Sequence, residues 1–149
     1  MKNRKKDTQM KIAVVYWSKT GNTRAMAEAV CEGARAAGAE VSLLTSAGFG
    51  ADRVAGFDAI AFGCPAMGKE SLERGEFEPM FAACEPVLGG KRVALFGSYG
   101  GGNGEWMRKW EARCANAGIA LAAMSVITHK LPDEGALAQC RALGAALGA

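Results

Sequence analysis

Five predominantly apolar runs constrain the fold of this chain more than any other feature of its sequence. They occupy residues 12–17, 41–44, 59–62, 93–96 and 120–127. The runs do not alternate apolar with polar residues, which is typical of strands buried on both faces, as in a parallel sheet. Parallel strands require crossover connections, and right-handed crossovers through helices produce a doubly wound sheet.

Apolar residues at helical spacing occupy the segments between these runs. The four stripes consist of Met26, Ala27, Val30 and Ala34; Phe77, Met80, Phe81 and Cys84; Trp106, Met107, Trp110 and Cys114; and Leu137, Cys140, Gly144 and Leu147. Gly38 and Gly118 follow two of the stripes as helix stops, and the last helix is expected to start near Asp133. The pattern predicts an α/β fold, a three-layer sandwich around a five-stranded parallel sheet.

Charge and length indicate one domain with a short tail. Residues 1–9 are basic and lack apolar periodicity, so we predict a disordered tail followed by a single domain over 10–149. That tail accounts for the whole net charge of +3, because Lys2, Arg4, Lys5 and Lys6 oppose only Asp7. A neutral body does not favour nucleic-acid binding. No apolar run approaches membrane-spanning length, and the N-terminus lacks a signal-peptide pattern.

Cysteine usage is typical of reduced thiols in a cytoplasmic protein. The chain has 5 cysteines, widely spaced and without a C-x-x-C pair, which does not favour a disulfide framework or a zinc site. Cys64 lies in a predicted ligand loop, which leaves a redox role open, but packing is the favoured interpretation. His129 is the single histidine of the sequence, and we interpret it as a surface residue. We predict no catalytic residue and no metal site.

A hydroxyl-rich loop connects the first apolar run to the first predicted helix. Ser18, Thr20 and Thr23 supply hydroxyls, Gly21 lets the backbone approach a ligand, and the helix N-terminus directs free N–H groups at an anion. The loop matches neither the triphosphate-binding nor the dinucleotide-binding glycine motif, so the pattern favours a monophosphate. The alternative is an ordinary helix cap rich in Ser and Thr.

Two more loops of small residues follow the third and fourth apolar runs. Residues 63–68 read Gly-Cys-Pro-Ala-Met-Gly, and residues 97–104 read Gly-Ser-Tyr-Gly-Gly-Gly-Asn-Gly. The carboxyl ends of neighbouring parallel strands lie side by side, and ligands bind in the crevice beyond them. The sequence therefore predicts one site built from three loops.

Together the three loops resemble the flavin-binding loops of the short-chain flavodoxins of anaerobic bacteria. The motifs are Y-W-S-K-T-G-N-T at 16–23, G-C-P-A-M-G at 63–68 and L-F-G-S-Y-G at 95–100, followed by G-E-W-M, and the similarity covers residues 10–149. The resemblance implies strand order 2-1-3-4-5, non-covalently bound FMN and a low-potential one-electron carrier rather than an enzyme. It also implies transient redox partners, both reductases and acceptor oxidoreductases, and a monomeric, cytoplasmic protein.

The resemblance also assigns the FMN-binding residues. They are Ser18, Lys19, Thr20, Gly21, Asn22, Thr23, Pro65, Ala66, Met67, Gly68, Lys69, Glu70, Ser98, Tyr99, Gly100, Gly101 and Gly104. It implies that Met67 packs on the flavin ring and that the Gly68 peptide turns over on reduction to offer its carbonyl to flavin N5. By the same resemblance, Glu70 accepts a hydrogen bond from flavin N3–H.

Three departures from the family keep other functions open. Lys19 replaces a common glycine and is expected to point to solvent, Gly101 replaces a tryptophan that stacks on the ring, and the body is neutral where the family is acidic. An open ring face would suit a small FMN-dependent reductase that passes hydride from a nicotinamide to a quinone. A further alternative is a flavodoxin-like binding module that has lost its flavin.

Overall fold

The computed structural model describes residues 9–68 and 70–149, which form a five-stranded parallel sheet between two helical layers. The strands are β1 (Lys11–Tyr16), β2 (Glu40–Thr45), β3 (Ala59–Gly63), β4 (Arg92–Tyr99) and β5 (Val126–His129). Their spatial order is β2-β1-β3-β4-β5, and every pairing is parallel, which confirms the predicted sheet and its order. The tail predicted over 1–9 lies outside the described residues except for Gln9, whose amide donates to the Gly38 carbonyl at 2.9 Å.

The described residues contain five α-helices, of which four connect successive strands and the last follows β5. They are α1 (Asn22–Ala36), α2 (Ala51–Val54), α3 (Phe77–Cys84), α4 (Glu105–Asn116) and α5 (Glu134–Gly148). Gly38 and Gly118 adopt φ angles of 96° and 76° just beyond α1 and α4, as the sequence predicts for helix stops. The Asp133 carboxylate caps α5 by accepting the Ala136 N–H at 2.8 Å. The sequence does not predict α2, because a single turn is too short to show helical periodicity.

Each face of the sheet carries its own apolar core. On one face α1 and α5 pack over β1 and β3, and they approach so closely that a methyl group on Gly144 would overlap the Val30 carbonyl. On the other face α3 and α4 enclose an aromatic cluster in which Phe62 meets the Phe81 ring edge-on at 5.0 Å. The two cores hold the strand ends, and therefore the loops beyond them, in fixed positions.

The fifth strand starts later than its apolar run predicts. The run covers 120–127, but β5 begins at Val126, and before it the chain makes only an isolated bridge between Leu121 and Val93. Residues 120–124 read Ala-Leu-Ala-Ala-Met, which have low strand propensity, whereas the β-branched residues from Val126 to Thr128 favour extended backbone. The correction places the carboxyl end of β5 at His129, beside the predicted site.

Candidate functional site

The first loop wraps its own backbone around the Ser18 side chain at the start of α1. Ser18 Oγ accepts the N–H of Gly21 at 3.1 Å and that of Arg24 at 3.4 Å. Gly21 has a φ angle of 98°, a left-handed conformation that favours glycine. Thr20 is exposed, with its hydroxyl 3.5 Å from the Asn22 N–H. The loop thus gathers hydroxyls and helix N-terminal N–H groups at one point, which suits an anion.

A buried hydrogen bond joins the first loop to the third. Thr23 Oγ1 and Ser98 Oγ lie 2.9 Å apart, and both residues are buried. The sequence assigns both residues to the cofactor but does not predict the hydrogen bond between their hydroxyls. A hydroxyl can donate one hydrogen bond and accept two, so each retains capacity for a further partner.

The second loop is a narrow turn between Met67 and Ser71. The two residues exchange backbone hydrogen bonds, from Met67 N to Ser71 O at 2.8 Å and from Ser71 N to Met67 O at 3.0 Å. Gly68 and Glu70 inside the turn have positive φ angles, 50° and 56°. The sequence also assigns Lys69 to this turn, but Lys69 lies outside the described residues. A left-handed Glu70 costs backbone energy, and such strain is concentrated at functional sites.

The Glu70 side chain reaches across to the third loop. Glu70 Oε1 accepts the backbone N–H of Trp106, at the start of α4, at 2.9 Å. The carboxylate also lies against Gly102, where a Cβ atom would collide with it. Glu70 therefore fixes the second loop to the third, a role additional to the flavin contact that the resemblance implies.

The third loop presents a glycine-rich surface to solvent. Gly100 and Gly101 are exposed, and no atom lies within 4 Å of the position that a Cβ atom on either would occupy. Gly104 has a φ angle of 88° and immediately precedes α4. Position 101 therefore has space for a large side chain, and the flat surface that a tryptophan would provide is missing there.

Tyr99 is the aromatic residue of this loop, and its ring lies close to two other aromatic rings. Its centroid lies 5.5 Å from that of Trp106 and 5.0 Å from that of His129. Trp106 is buried in the core with Trp110, and its indole N–H donates to the Cys64 carbonyl at 3.1 Å. Trp106 is therefore a core residue and does not substitute for the missing stacking tryptophan.

The end of β5 contributes two residues that the sequence analysis does not place in the site. His129 is exposed, as predicted, but its Nε2 donates to the Gly100 carbonyl at 2.8 Å. The backbone N–H of Lys130 donates to the Tyr99 carbonyl at 2.7 Å, and Lys130 has a φ angle of 62°. The rule that places ligand loops at the carboxyl ends of strands also covers β5, but this segment has no glycine or hydroxyl pattern to mark it.

A cavity of about 270 Å³ lies where all these segments meet. Its lining comes from the first, second and third loops and from the β5 end: Lys19, Thr20, Asn22, Thr23, Pro65, Ala66, Met67, Ser98, Tyr99, Gly100 and Lys130. A second cavity of about 360 Å³ is also lined by the first loop, with Ser18, Lys19 and Gly21 in its wall beside Trp17, Thr45 and Glu76, so Ser18 and Gly21 do not line the first cavity. The structure thus brings residues of all three predicted loops together around one cavity.

The thiol of Cys64 is buried next to this site and has low reactivity. Burial raises the pKa of Cys64 to about 12, so the thiolate that redox chemistry needs is scarce at neutral pH. Its sulfur accepts the Glu73 N–H at 3.4 Å. These observations favour packing over redox chemistry for Cys64.

Metal binding and membrane insertion find no support in the described residues. Within 9–68 and 70–149, no group of three or more His, Cys, Asp or Glu side chains is arranged to hold a metal ion. The same part of the chain contains no helix long and apolar enough to cross a bilayer.

Comparison with known proteins places this architecture in a well-defined group. A family model described as Flavodoxin matches residues 14–143. A flavodoxin of Megasphaera elsdenii is 43% identical over 135 residues, spanning 91% of this chain and 96% of the relative. A flavodoxin of Clostridium beijerinckii is 41% identical over 121 residues, spanning 81% and 88%.

Solved structures agree with these relatives. The solution structure of two-electron reduced Megasphaera elsdenii flavodoxin superposes with a TM-score of 0.85 at 43% identity, covering 92% of this chain and 98% of that one. A flavodoxin structure from the domain Archaea superposes with a TM-score of 0.81 at 26% identity, covering 93% and 96%.

Proposed function

Because this chain belongs to the flavodoxin family, we propose that FMN binds at the cavity where its three loops and the end of β5 meet. The protein is an electron carrier that uses non-covalently bound FMN, and it is an electron-transfer flavoprotein rather than an enzyme. When bound, FMN supplies the electron-transfer chemistry, and the protein binds and orients it. The observation that carries the proposed site is the convergence of all three loops on one cavity.

The first loop fits the phosphate end of FMN. Ser18, Thr20 and Thr23 provide hydroxyls, and the helix start after Gly21 provides N–H groups and the positive end of a dipole. Lys19 also lines this cavity and is exposed, and we expect its side chain to face solvent and not the phosphate. This donor set matches a dianion, which needs many hydrogen-bond donors in a small volume.

The second and third loops fit the flavin ring. Met67 lines the cavity with a polarizable thioether, which suits contact with an aromatic plane. Gly68 has no atom within 4 Å of its Cβ position, so its peptide has space to turn. Gly100 and Gly101 are exposed, and we expect their N–H groups to bind the pyrimidine oxygen of the ring. Pro65, Ala66 and Tyr99 complete the wall.

We infer that the carrier works as a monomer in the cytoplasm and meets its redox partners, reductases and acceptor oxidoreductases, transiently. The five cysteines are all free and buried, which supports a reducing compartment. A carrier that visits several partners at one site needs that site exposed, and Gly100 and Gly101 are exposed at its edge. Sedimentation at several concentrations tests the monomer, since a concentration-dependent mass would contradict it.

The proposed phosphate loop is tested by comparing FMN with riboflavin, which lacks the phosphate. We expect Thr20→Ala to weaken FMN binding by at least about tenfold, because a hydrogen bond to a charged group contributes about 1.5–3 kcal/mol, and to leave riboflavin binding unchanged. Flavin fluorescence quenching in a titration measures both dissociation constants. Thr20 is the suitable variant because it is exposed, whereas Thr23 also holds Ser98.

The matched control is Thr45→Ala, a change at an exposed threonine of β2 that does not line the proposed FMN cavity. It should change neither dissociation constant. Equal losses for FMN and riboflavin in Thr20→Ala would show that the loop does not hold the phosphate.

A further inference from the structure

We propose that the mouth of the FMN site is a cationic docking surface for a protein partner that carries carboxylates around its own redox centre. The inference rests on the proposed function and adds the chemistry of the partner. We call this surface the cationic rim and define it by Lys19 and Lys130, which line the same cavity from opposite ends of the site.

The two lysines reach the cavity from well-separated strands. Lys19 follows β1 and Lys130 follows β5, with β3 and β4 between them in the sheet. Both residues are exposed, and the lining of their shared cavity contains no carboxylate. One cation therefore lies at the phosphate end of the site and the other at its β5 end.

Neither lysine of the rim forms an ion pair within the described residues. In residues 9–68 and 70–149, no Asp or Glu oxygen lies within 4.0 Å of either lysine ammonium. Carboxylates of the adjoining segments are bound to other groups: Glu70 to the Trp106 N–H, Glu76 to the Ser46 hydroxyl and Asp133 to the Ala136 N–H. By contrast, the exposed cations Arg24 and Arg108 each pair with a glutamate on their own helix.

The surroundings of Lys130 favour a protein over a small anion. Leu131 follows directly and is 75% exposed, so an apolar side chain stands beside the cation. Protein interfaces combine an apolar centre with charged residues at the rim, and complementary charge accelerates encounter. Because the body of the chain is neutral, this local charge, and not the net charge, would decide which partner surface is attracted.

Two small oxidants of opposite charge report the electrostatic potential near the flavin, and no purified partner protein is needed. FMN on the protein is first reduced with dithionite and then mixed with ferricyanide, a trianion, or with cobalt hexaammine, a trication. In each reaction the flavin gives up two electrons and releases its protons to water, and two oxidant ions take one electron each. Stopped-flow absorbance gives the two second-order rate constants.

We expect Lys130→Glu to lower the rate constant for the reaction with ferricyanide by about threefold to tenfold and to raise the rate constant for the reaction with cobalt hexaammine. Both effects should be largest at about 0.01 M ionic strength and vanish near 1 M, because the Debye length falls from about 30 Å to about 3 Å. A change in the driving force of the flavin would move both rates in the same direction. Opposite responses therefore identify charge near the site.

The matched control is Lys109→Glu, which changes the net charge equally on an exposed face of α4, outside the lining of the site. It should leave both rates nearly unchanged. If both variants act alike, or if both oxidants respond in the same direction, the cationic rim is overturned. The unaltered protein provides a test independent of any variant, since added salt should slow its reaction with ferricyanide and accelerate that with cobalt hexaammine.

The opposite salt dependence in the unaltered protein would also overturn the inference, because it would show a net negative site. A failure of the proposed FMN site looks different. The purified chain would then show no flavin absorbance after incubation with FMN, and no electron transfer would occur to either oxidant.

Discussion

At the scale of single residues, the glycines of the second and third loops determine what the site can do. Gly68 is left-handed with free space around it, and Gly101 leaves open a position where a ring-stacking side chain would fit. Neither property depends on packing against neighbours, so substitutions there report on the ligand and the backbone alone.

Gly68→Ala should bring the two one-electron reduction potentials of bound FMN closer together. A Cβ atom disfavours the φ angle of 50° by about 1–2 kcal/mol, which hinders the peptide turn implied by the family resemblance. A spectroelectrochemical titration measures both potentials. Gly38→Ala places the same strain at a φ angle of 96° beyond α1, with nothing within 4 Å, and should reduce stability without changing either potential. Unchanged potentials in Gly68→Ala would exclude the turn.

Gly101→Trp should tighten FMN binding by roughly 2- to 12-fold, because an aromatic pair is worth about 0.5–1.5 kcal/mol beyond its buried area. The change is sterically allowed, since no atom lies within 4 Å of the Cβ position. Fluorescence titration measures the dissociation constant, and Gly101→Ala serves as a control without a ring. Equal affinities for the two variants would mean that the introduced ring does not reach the flavin.

At the scale of elements, the start of α3 depends on one carboxylate. Glu73 accepts three backbone N–H groups, from Gly75 at 2.7 Å and from Glu76 and Phe77 at 2.8 Å each. Partial burial raises the pKa of Glu73, but the three N–H groups outweigh it and hold that pKa below its usual value. The carboxylate therefore stabilises the fold above the pKa of an unfolded glutamate and loses that contribution as the pH falls through the lower, folded pKa.

Replacing Glu73 with Gln should consequently flatten the acid side of the stability profile. At neutral pH the variant is less stable, and the difference from the parent protein shrinks as the pH falls below about 4, where glutamates protonate. Urea unfolding at several pH values measures this, with Glu40→Gln at an exposed position as the control. A constant difference at every pH would show that the charge of Glu73 does not matter to α3.

Elements also differ in how well the sequence predicts them. β1, β3 and β4 are marked by continuous apolar runs because both of their faces are buried, and the loops after them are predicted with them. β5 is an edge strand preceded by an alanine-rich apolar segment, so the sequence predicts its start too early. The same error leaves His129 and Lys130 out of the predicted site. The Thr23–Ser98 and Glu70–Trp106 bonds join residues far apart in the chain, and no local pattern encodes them.

At the scale of the whole molecule, the two apolar cores hide every thiol. Burial raises the pKa of the cysteines, to about 11 for Cys31, Cys84 and Cys114 and to about 12 for Cys64 and Cys140. The 5 residues lie in both cores, so together they sample the sheet from both faces. A thiol reagent therefore measures how often the fold opens.

We expect an aryl disulfide reagent to label none of the five cysteines in the native protein on the timescale of free thiols, and all of them in denaturant. The thiolate attacks the reagent disulfide and releases an aryl thiolate, which is counted by absorbance. FMN binds the folded state alone, so at 100 times its dissociation constant it should stabilise that state by about 2.7 kcal/mol and slow labelling about 100-fold.

Riboflavin at the same multiple of its own dissociation constant is the control and should slow labelling equally. Mass spectrometry of each labelled peptide shows whether the five sites slow together. One cysteine that stays fast with FMN present would show that its core opens locally, without the rest of the sheet.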